Sequence, residues 1–270
     1  MTYYEVGKLL IEAQGGEERA KYGDGLIKEY SKRLTLELGK GYSSRTLKYM
    51  RKFYLFQKGQ ALPAQLSWSH YLELLSIKDN YKINYYINIT IKYNLSYREL
   101  HKRIKLNEYE RLDDNARNNL LLNNNTNLED NLKHPIIIRN RYNNEDISEK
   151  MLKQLILEYI GSFMTELGEG FSFINSEYKI KLGDRYNYID LLLFNYKYNC
   201  FVVVELKVTE LKAEHIGQIK KYINYIDKNI KDITHDKTIG IIIVRKDNKF
   251  VMEYCSDLRI FRTTYMLVSN

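Results

Sequence analysis

Cysteine and proline are scarce in this chain, two of each in 270 residues. Cys200 and Cys255 form no close pair, which excludes a cysteine-built metal site of the zinc-finger kind. Cys200 abuts a predicted strand and reads as a small buried hydrophobe. So little cysteine suits a reducing cytoplasm, which is the expected location. Long apolar runs are missing too: no stretch approaches the ~20 residues of a membrane span. The N-terminus lacks a basic segment followed by an apolar core, so no secretory signal is read there. It begins almost inside a helix, at Tyr3-Tyr4-Glu5-Val6-Gly7, as a shortened chain would. No repeat of fixed period is visible. Tyr, Asn, Lys and Ile are abundant in the way an AT-rich coding sequence produces, and that bias carries no functional weight.

What is present in excess is positive charge. The net charge is +8 and the pI about 9.1, a balance that favours a polyanionic partner. The length suits one large domain or two ordinary ones.

The first part of the chain reads as helical. Val6, Leu9, Leu10 and Ala13 share one helical face. A second helix turns Leu26, Ile27, Tyr30, Leu34 and Leu38 inward. Gly39 to Ser43 makes a short turn, and Ser43 or Ser44 can cap a third helix through Leu47, Met50, Phe53 and Tyr54. Two helices joined in this way are compatible with a helix-turn-helix. The third helix presents Arg45, Lys48, Arg51 and Lys52, a basic face suited to phosphates or the major groove; a solvated surface is the alternative. Ser67 caps a further helix whose Trp68 is expected as a packing anchor and His70 as a structural residue. Ser96-Tyr97-Arg98-Glu99 has the form of a capping box. Residues 115–131 are dense in Asn and read as an exposed connection. The expected organisation is therefore an α+β chain: an all-α, helix-turn-helix-like domain over 1–115, a linker over 116–145, and an α/β domain with a mixed central sheet over 146–270.

The second part is organised around three charges in apolar strands. Tyr188 to Phe194 and Phe201 to Val208 read as neighbouring strands joined by a polar turn, both buried on two faces. Yet the first carries Asp190, and the second carries Glu205 and Lys207. An isolated ionised carboxylate in such a place costs several kcal/mol, and two close together repel. A divalent cation resolves the conflict, because Mg²⁺ takes one or two carboxylates and fills its remaining positions with water and phosphate oxygens. Glu205 and Lys207 are two apart on a strand and point to the same face. Lys207 then reaches whatever the metal holds, as phosphodiester hydrolysis requires. A buried Glu–Lys or Asp–Lys ion pair in an ordinary sheet is the bland alternative. Strands at Phe171–Leu182, Tyr186–Phe194, Cys200–Val208 and Thr238–Val244, a helix before them and another over about 213–228, give the order α-β-β-β-α-β. The tail from Lys249 to Met266 is expected to add strand.

Ile189-Asp190 followed by Glu205-Leu206-Lys207 resembles the PD-(D/E)XK nuclease signature, with Ile189 in place of its proline. The resemblance implies an acidic residue from the preceding helix, here Glu166, and a helper on the following helix, here Gln218. Together with Tyr22 to Ile27, Leu47 to Tyr54, Leu66 to Tyr71 and Glu166 to Phe171, these residues make nearly the whole chain similar to the YhcG-like bacterial family, in which a helical domain of unknown function precedes a PD-(D/E)XK domain. The family's usual opening helix is shortened here.

The expectation is thus a Mg²⁺-dependent nuclease, with Mn²⁺ able to substitute. Asp190 and Glu205 bind metal, helped by Glu166. Lys207 positions the attacking water and Gln218 steadies the site. The expected substrate is DNA, in repair, recombination or defence, and RNA stays open. A homodimer is expected only by analogy. The rival reading is a DNA-binding or partner-binding module whose nuclease fold has lost useful activity.

Overall fold

The computed structural model describes residues 2–16, 24–58, 63, 65–121, 128–144, 146–255 and 257–269. Tyr22, Gly23 and, within the Asn-dense stretch 115–131, residues 122–127 lie outside these residues. The chain divides into two compact units, Met1–Tyr109 and Glu110–Asn270.

Among its described residues the first unit is built of helices and no strands: α1 (Tyr3–Ala13), α2 (Asp24–Leu38), α3 (Ser44–Gln57), α4 (Trp68–Leu74), α5 (Asn80–Tyr93) and α6 (Tyr97–Lys105). Local sequence chemistry sets the starts. Ser43 Oγ accepts the Thr46 N–H at 3.2 Å. Ser96 N–H donates to Glu99 Oε2 at 2.8 Å and Glu99 N–H donates back to Ser96 Oγ at 3.4 Å, closing the capping box. At α4 a histidine does the work of the glutamate. Ser67 N–H donates to His70 Nδ1 at 3.1 Å, and His70 Nε2 lies 3.0 Å from the Leu95 carbonyl oxygen. Both ring nitrogens are engaged inside the unit, so His70 is structural. Trp68 stacks on Tyr3 with centroids 4.2 Å apart and meets Phe53 edge-on at 5.4 Å.

Val6, Leu10, Ile27, Leu47 and Met50 form a core between α1, α2 and α3. Leu9, expected inside, is exposed, and Gly7 and Ile11 are buried instead. The stripe is turned because Gly7 lets α1 approach the α3 backbone. A Cβ at Gly7 would sit 2.1 Å from the Met50 carbonyl oxygen. Helix propensity alone makes Gly→Ala stabilising by about 0.5–1 kcal/mol. Here the sign reverses: Gly7→Ala should destabilise the helical unit by about 1–3 kcal/mol through overpacking, and a thermal melt that rises instead would contradict this packing.

The second unit runs α7 (Asp114–Leu121), α8 (Leu128–Asn131), β1 (Ile136–Asn140), α9 (Glu149–Glu158), α10 (Ile160–Leu167), β2 (Phe171–Leu182), β3 (Arg185–Asn195), β4 (Cys200–Glu210), α11 (Ala213–Asn229), β5 (Ile239–Lys246), α12 (Lys249–Cys255) and β6 (Ile260–Ser269). One six-stranded sheet has the order β1-β6-β5-β4-β3-β2. Strands β2, β3 and β4 are antiparallel neighbours, whereas β4, β5, β6 and β1 run parallel. The sheet is mixed, as expected.

Two expectations need correction. The boundary falls at Tyr109/Glu110 and not at residue 115. Within the expected linker 116–145, residues 128–140 belong to the second unit, because β1 pairs with β6, and Leu128, Leu132, Ile136 and Ile138 are buried in the sheet's core. The tail adds the expected strand, but α12 comes first.

Alternation along β4 sorts side chains between two cores. Val202, Val204 and Leu206 face Leu152, Leu155 and Ile156 of α9 and Phe163 and Leu167 of α10. Val203 faces Ile216, Ile219, Tyr222, Ile223 and Ile226 of α11. By the same two-residue period, Glu205 and Lys207 follow Val203 onto the α11 side.

Candidate active site

The sheet forks where the charges lie. Pairing between β3 and β4 stops at Leu191↔Val204. Beyond it β3 continues with β2 alone, while β4 continues with β5. Asp190 stands on one prong and Glu205 on the other, each one residue past the last rung. The parted backbone leaves the Leu206 N–H without a strand partner, and Asp190 Oδ2 accepts it at 3.0 Å.

Glu205 is 2% exposed. Its Oε2 accepts from Gln218 Nε2 of α11 at 3.1 Å and lies 3.4 Å from Lys207 Nζ. Gln218 is held in turn by Tyr222, whose hydroxyl lies 3.1 Å from Nε2. The other carboxylate oxygen, Oε1, is buried and makes no hydrogen bond of good geometry, although the Asp190 backbone N–H approaches this carboxylate. Burial, and after it the Asp190 carboxylate, push the Glu205 pKa up to about 8 against the opposing charge of Lys207.

Two residues that the sequence did not single out complete the cluster. Glu149, in the first turn of α9, lies 3.7 Å from Lys207 Nζ. One turn on, Lys153 Nζ lies 3.3 Å from Asp190 Oδ1 and 2.8 Å from Glu177 Oε1 of β2. Burial works against the Lys153 charge, but the Glu177 hydrogen bond and the Asp190 carboxylate outweigh it and hold its pKa above the ordinary lysine value. Spacing four apart on a capped amphipathic helix was the available signal, since Glu149 and Lys153 must share a face.

Glu166 is elsewhere, and this is a correction. It is claimed by Arg111, whose two terminal nitrogens both reach it, one of them at 3.3 Å. Ile137 N–H donates to it at 2.9 Å, and Lys133 Nζ lies 3.8 Å away. This carboxylate ties the start of the unit and β1 to α10. The helix position was right for a ligand, but a guanidinium 55 residues away in sequence satisfies it. Glu166→Gln should lower the stability of the second unit by about 3–5 kcal/mol, because the Arg111 side chain, 6% exposed, is left short of its counter-charge. Metal affinity and the turnover of the folded fraction should stay as in the parent. A selective loss of metal binding in a stable Glu166→Gln protein would return it to the site.

The basic face of α3 is only partly open. Arg45 and Lys52 are exposed and flank the Tyr49 ring, each 5.8 Å from its centroid. Lys48 and Arg51 are half-buried, and Arg51 donates to Gln14 Oε1 at 3.2 Å.

The residues fit a hard divalent ion. A buried carboxylate oxygen lacks a hydrogen bond of good geometry, a second carboxylate stands beside it, and all the donors are oxygens. Among the described residues no group of three or more His, Cys, Asp or Glu is arranged around a common point. Asp190 and Glu205 are the two carboxylates that would hold the ion, a number that suits Mg²⁺ with water and phosphate oxygens filling the rest.

A forked mixed sheet carrying D…E-x-K, with a glutamine behind it, is the site of a PD-(D/E)XK nuclease. The family described as the YhcG PDDEXK nuclease domain matches residues 129–269, and the chain belongs to it. The DUF1016 N-terminal domain matches residues 1–111. A curated relative, "Putative nuclease YhcG" of Escherichia coli (strain K12), is 27% identical over 90% of this chain and 75% of that protein. Among solved structures, a repair endonuclease from Pyrococcus abyssi is 20% identical over 45% of this chain, with a TM-score of 0.33. EndoMS in complex with dsDNA is 18% identical over 48%, with a TM-score of 0.32. The chain spans 48% of the length of each. TM-scores of this size leave the family match to carry the assignment. Among the described residues, no helix is long and apolar enough to cross a membrane.

Proposed function

We propose that the chain is a Mg²⁺-dependent nuclease that hydrolyses phosphodiester bonds in DNA, with Mn²⁺ able to substitute. The observation that carries this reading is the buried oxygen of Glu205, beside Asp190, that makes no hydrogen bond of good geometry. A buried carboxylate oxygen so poorly satisfied is costly, and oxygen-coordinated metal removes the cost. When bound, the ion supplies a polarised phosphate oxygen and a water of lowered pKa.

The chain's own residues do the rest. Asp190 is oriented by the Leu206 N–H and by Lys153, so its oxygens are fixed before substrate arrives. Gln218 fixes the rotamer of Glu205. Lys207 places an ammonium beside Glu205, where it orients the attacking water and offsets charge building on the phosphate. Arg45 and Lys52 of α3 supply phosphate contacts from the helical unit.

A supercoiled plasmid should be nicked by the full chain with Mg²⁺ or Mn²⁺ and left intact in EDTA. Equal cutting in EDTA would overturn the metal requirement. No cutting with any divalent ion, accompanied by tight DNA binding, would establish the binding-module reading instead.

A further inference from the structure

The β2–β3 hairpin has one buried face and one open face. On the buried side Ile180 and Ile189 belong to the α11 core, and Tyr178 and Leu182 pack against it. Cross-strand partners share a face. The opposite face therefore carries the pairs Lys179↔Tyr188 and Lys181↔Tyr186. Tyr186 is 56% and Tyr188 54% exposed, and both lysines are exposed. The charges sit by the rings: Lys179 Nζ lies 3.9 Å and Lys181 Nζ 6.0 Å from the Tyr186 centroid.

This face leads to the active site. Tyr188 and Tyr186 lie two and four residues before Asp190 along β3, so their Cα positions stand about 7 and about 13 Å from that of the acid. From α9, Lys153 reaches both Asp190 and Glu177, the β2 residue two before Lys179, and so joins the acid to the end of this hairpin.

We propose that this tyrosine–lysine track holds an unpaired DNA strand next to the scissile phosphate, with bases stacked on Tyr188 and Tyr186 and phosphates neutralised by Lys179 and Lys181. The inference deepens the nuclease reading and rests on it for its choice of ligand. Exposed rings interleaved with cations are what sequence-tolerant single-strand binding uses. A closed duplex keeps its base faces stacked away from such rings, so the track selects DNA with a frayed, flapped or gapped strand over blunt duplex. The preference is for substrate structure rather than sequence.

The test uses the full chain and fluorescein-labelled oligonucleotides of one sequence, single-stranded or as blunt duplex, with anisotropy read in EDTA. The double variant Tyr186→Ala/Tyr188→Ala should bind the single strand at least tenfold more weakly and the duplex within about twofold of the parent. Tyr186→Phe/Tyr188→Phe keeps the rings and should restore single-strand binding. Lys179→Ala/Lys181→Ala should flatten the slope of log K against log salt by roughly 1.4 for the single strand. Melting curves confirm that each variant folds. Single-strand affinity unchanged in a folded tyrosine-to-alanine variant overturns the proposal. So does a shift in the sedimentation coefficient with single-strand affinity unchanged, which would make this face a contact between copies of the chain. The nuclease reading is judged separately, by plasmid cutting. A chain that binds through the tyrosines but never cuts sinks that reading alone. A chain that cuts while the tyrosine variant binds normally sinks this one alone.

Discussion

Lys207→Ala should cut plasmid about 10²–10³-fold more slowly than the parent at pH 7.5, the usual loss when one fixed electrostatic donor is removed from a transition state. The same protein should show a second change that a merely structural lysine would not cause. Lys207 opposes the upward shift of Glu205, so without it the Glu205 pKa climbs higher. The acid limb of the pH–rate profile should therefore move to higher pH, because a divalent ion competes with a proton for that carboxylate. Asp190→Ala removes one of the two carboxylates proposed to hold the metal and should bring cutting to background. A Lys207→Ala enzyme that cuts as fast as the parent, with an unmoved acid limb, would remove the lysine from the chemistry. The groups that face Glu205 are Asp190 from β3, Lys207 from β4, and Gln218 and Tyr222 from α11. Asp190 and Lys207 are the charged ones among them.

The second large effect concerns Glu205 in the metal-free protein. Its folded-state pKa of about 8 lies above the ordinary value of 4.5. Between those values the folded chain holds a proton that the unfolded chain has shed. Stability contributed by the protonated group is fully present below pH 4.5 and is lost as pH rises through 8. At about 1.36 kcal/mol per pKa unit the loss is on the order of 3–5 kcal/mol. Glu205→Gln removes the titrating group while keeping an amide oxygen for Lys207. In EDTA at pH 8.5 it should melt about 5–10 °C above the parent, and at pH 5 close to it. Adding Mg²⁺ should raise the parent's melting temperature and leave that of Glu205→Gln unmoved. If both proteins melt alike across this pH range, Glu205 is not held in the protonated state that the burial implies.

These three residues were legible because charge in a Val- and Leu-rich strand is anomalous within a few residues of sequence. The strands β2, β3, β4 and β5 were legible for the related reason that apolar runs and polar turns are local signals. What the sequence hid was non-local. β1 is the five-residue run Ile136–Asn140 beside an Asn-dense segment, and nothing near it announces a partner more than 120 residues away in β6. Glu166 misled for the same cause, since the claim of Arg111 on it is visible only once the chain is folded. Glu149 and Lys153 were overlooked although their spacing was in view; the apolar stripe of α9 drew attention to the opposite face. At α1 the four-residue period was read correctly but rotated, because the close approach at Gly7 is a property of two helices and not of one.

The active centre owes its existence to a missing rung. Had β3 and β4 stayed zipped for two residues more, backbone would have satisfied backbone and Asp190 would have had no orphan amide to grip. Silencing the enzyme therefore does not require losing an acid: a change in the turn at residues 196–199 that lets the two strands slide and close would be enough. Slow hydrogen exchange at Leu206, lost in Asp190→Ala while its neighbours keep theirs, would show how much of that opening one side chain props apart.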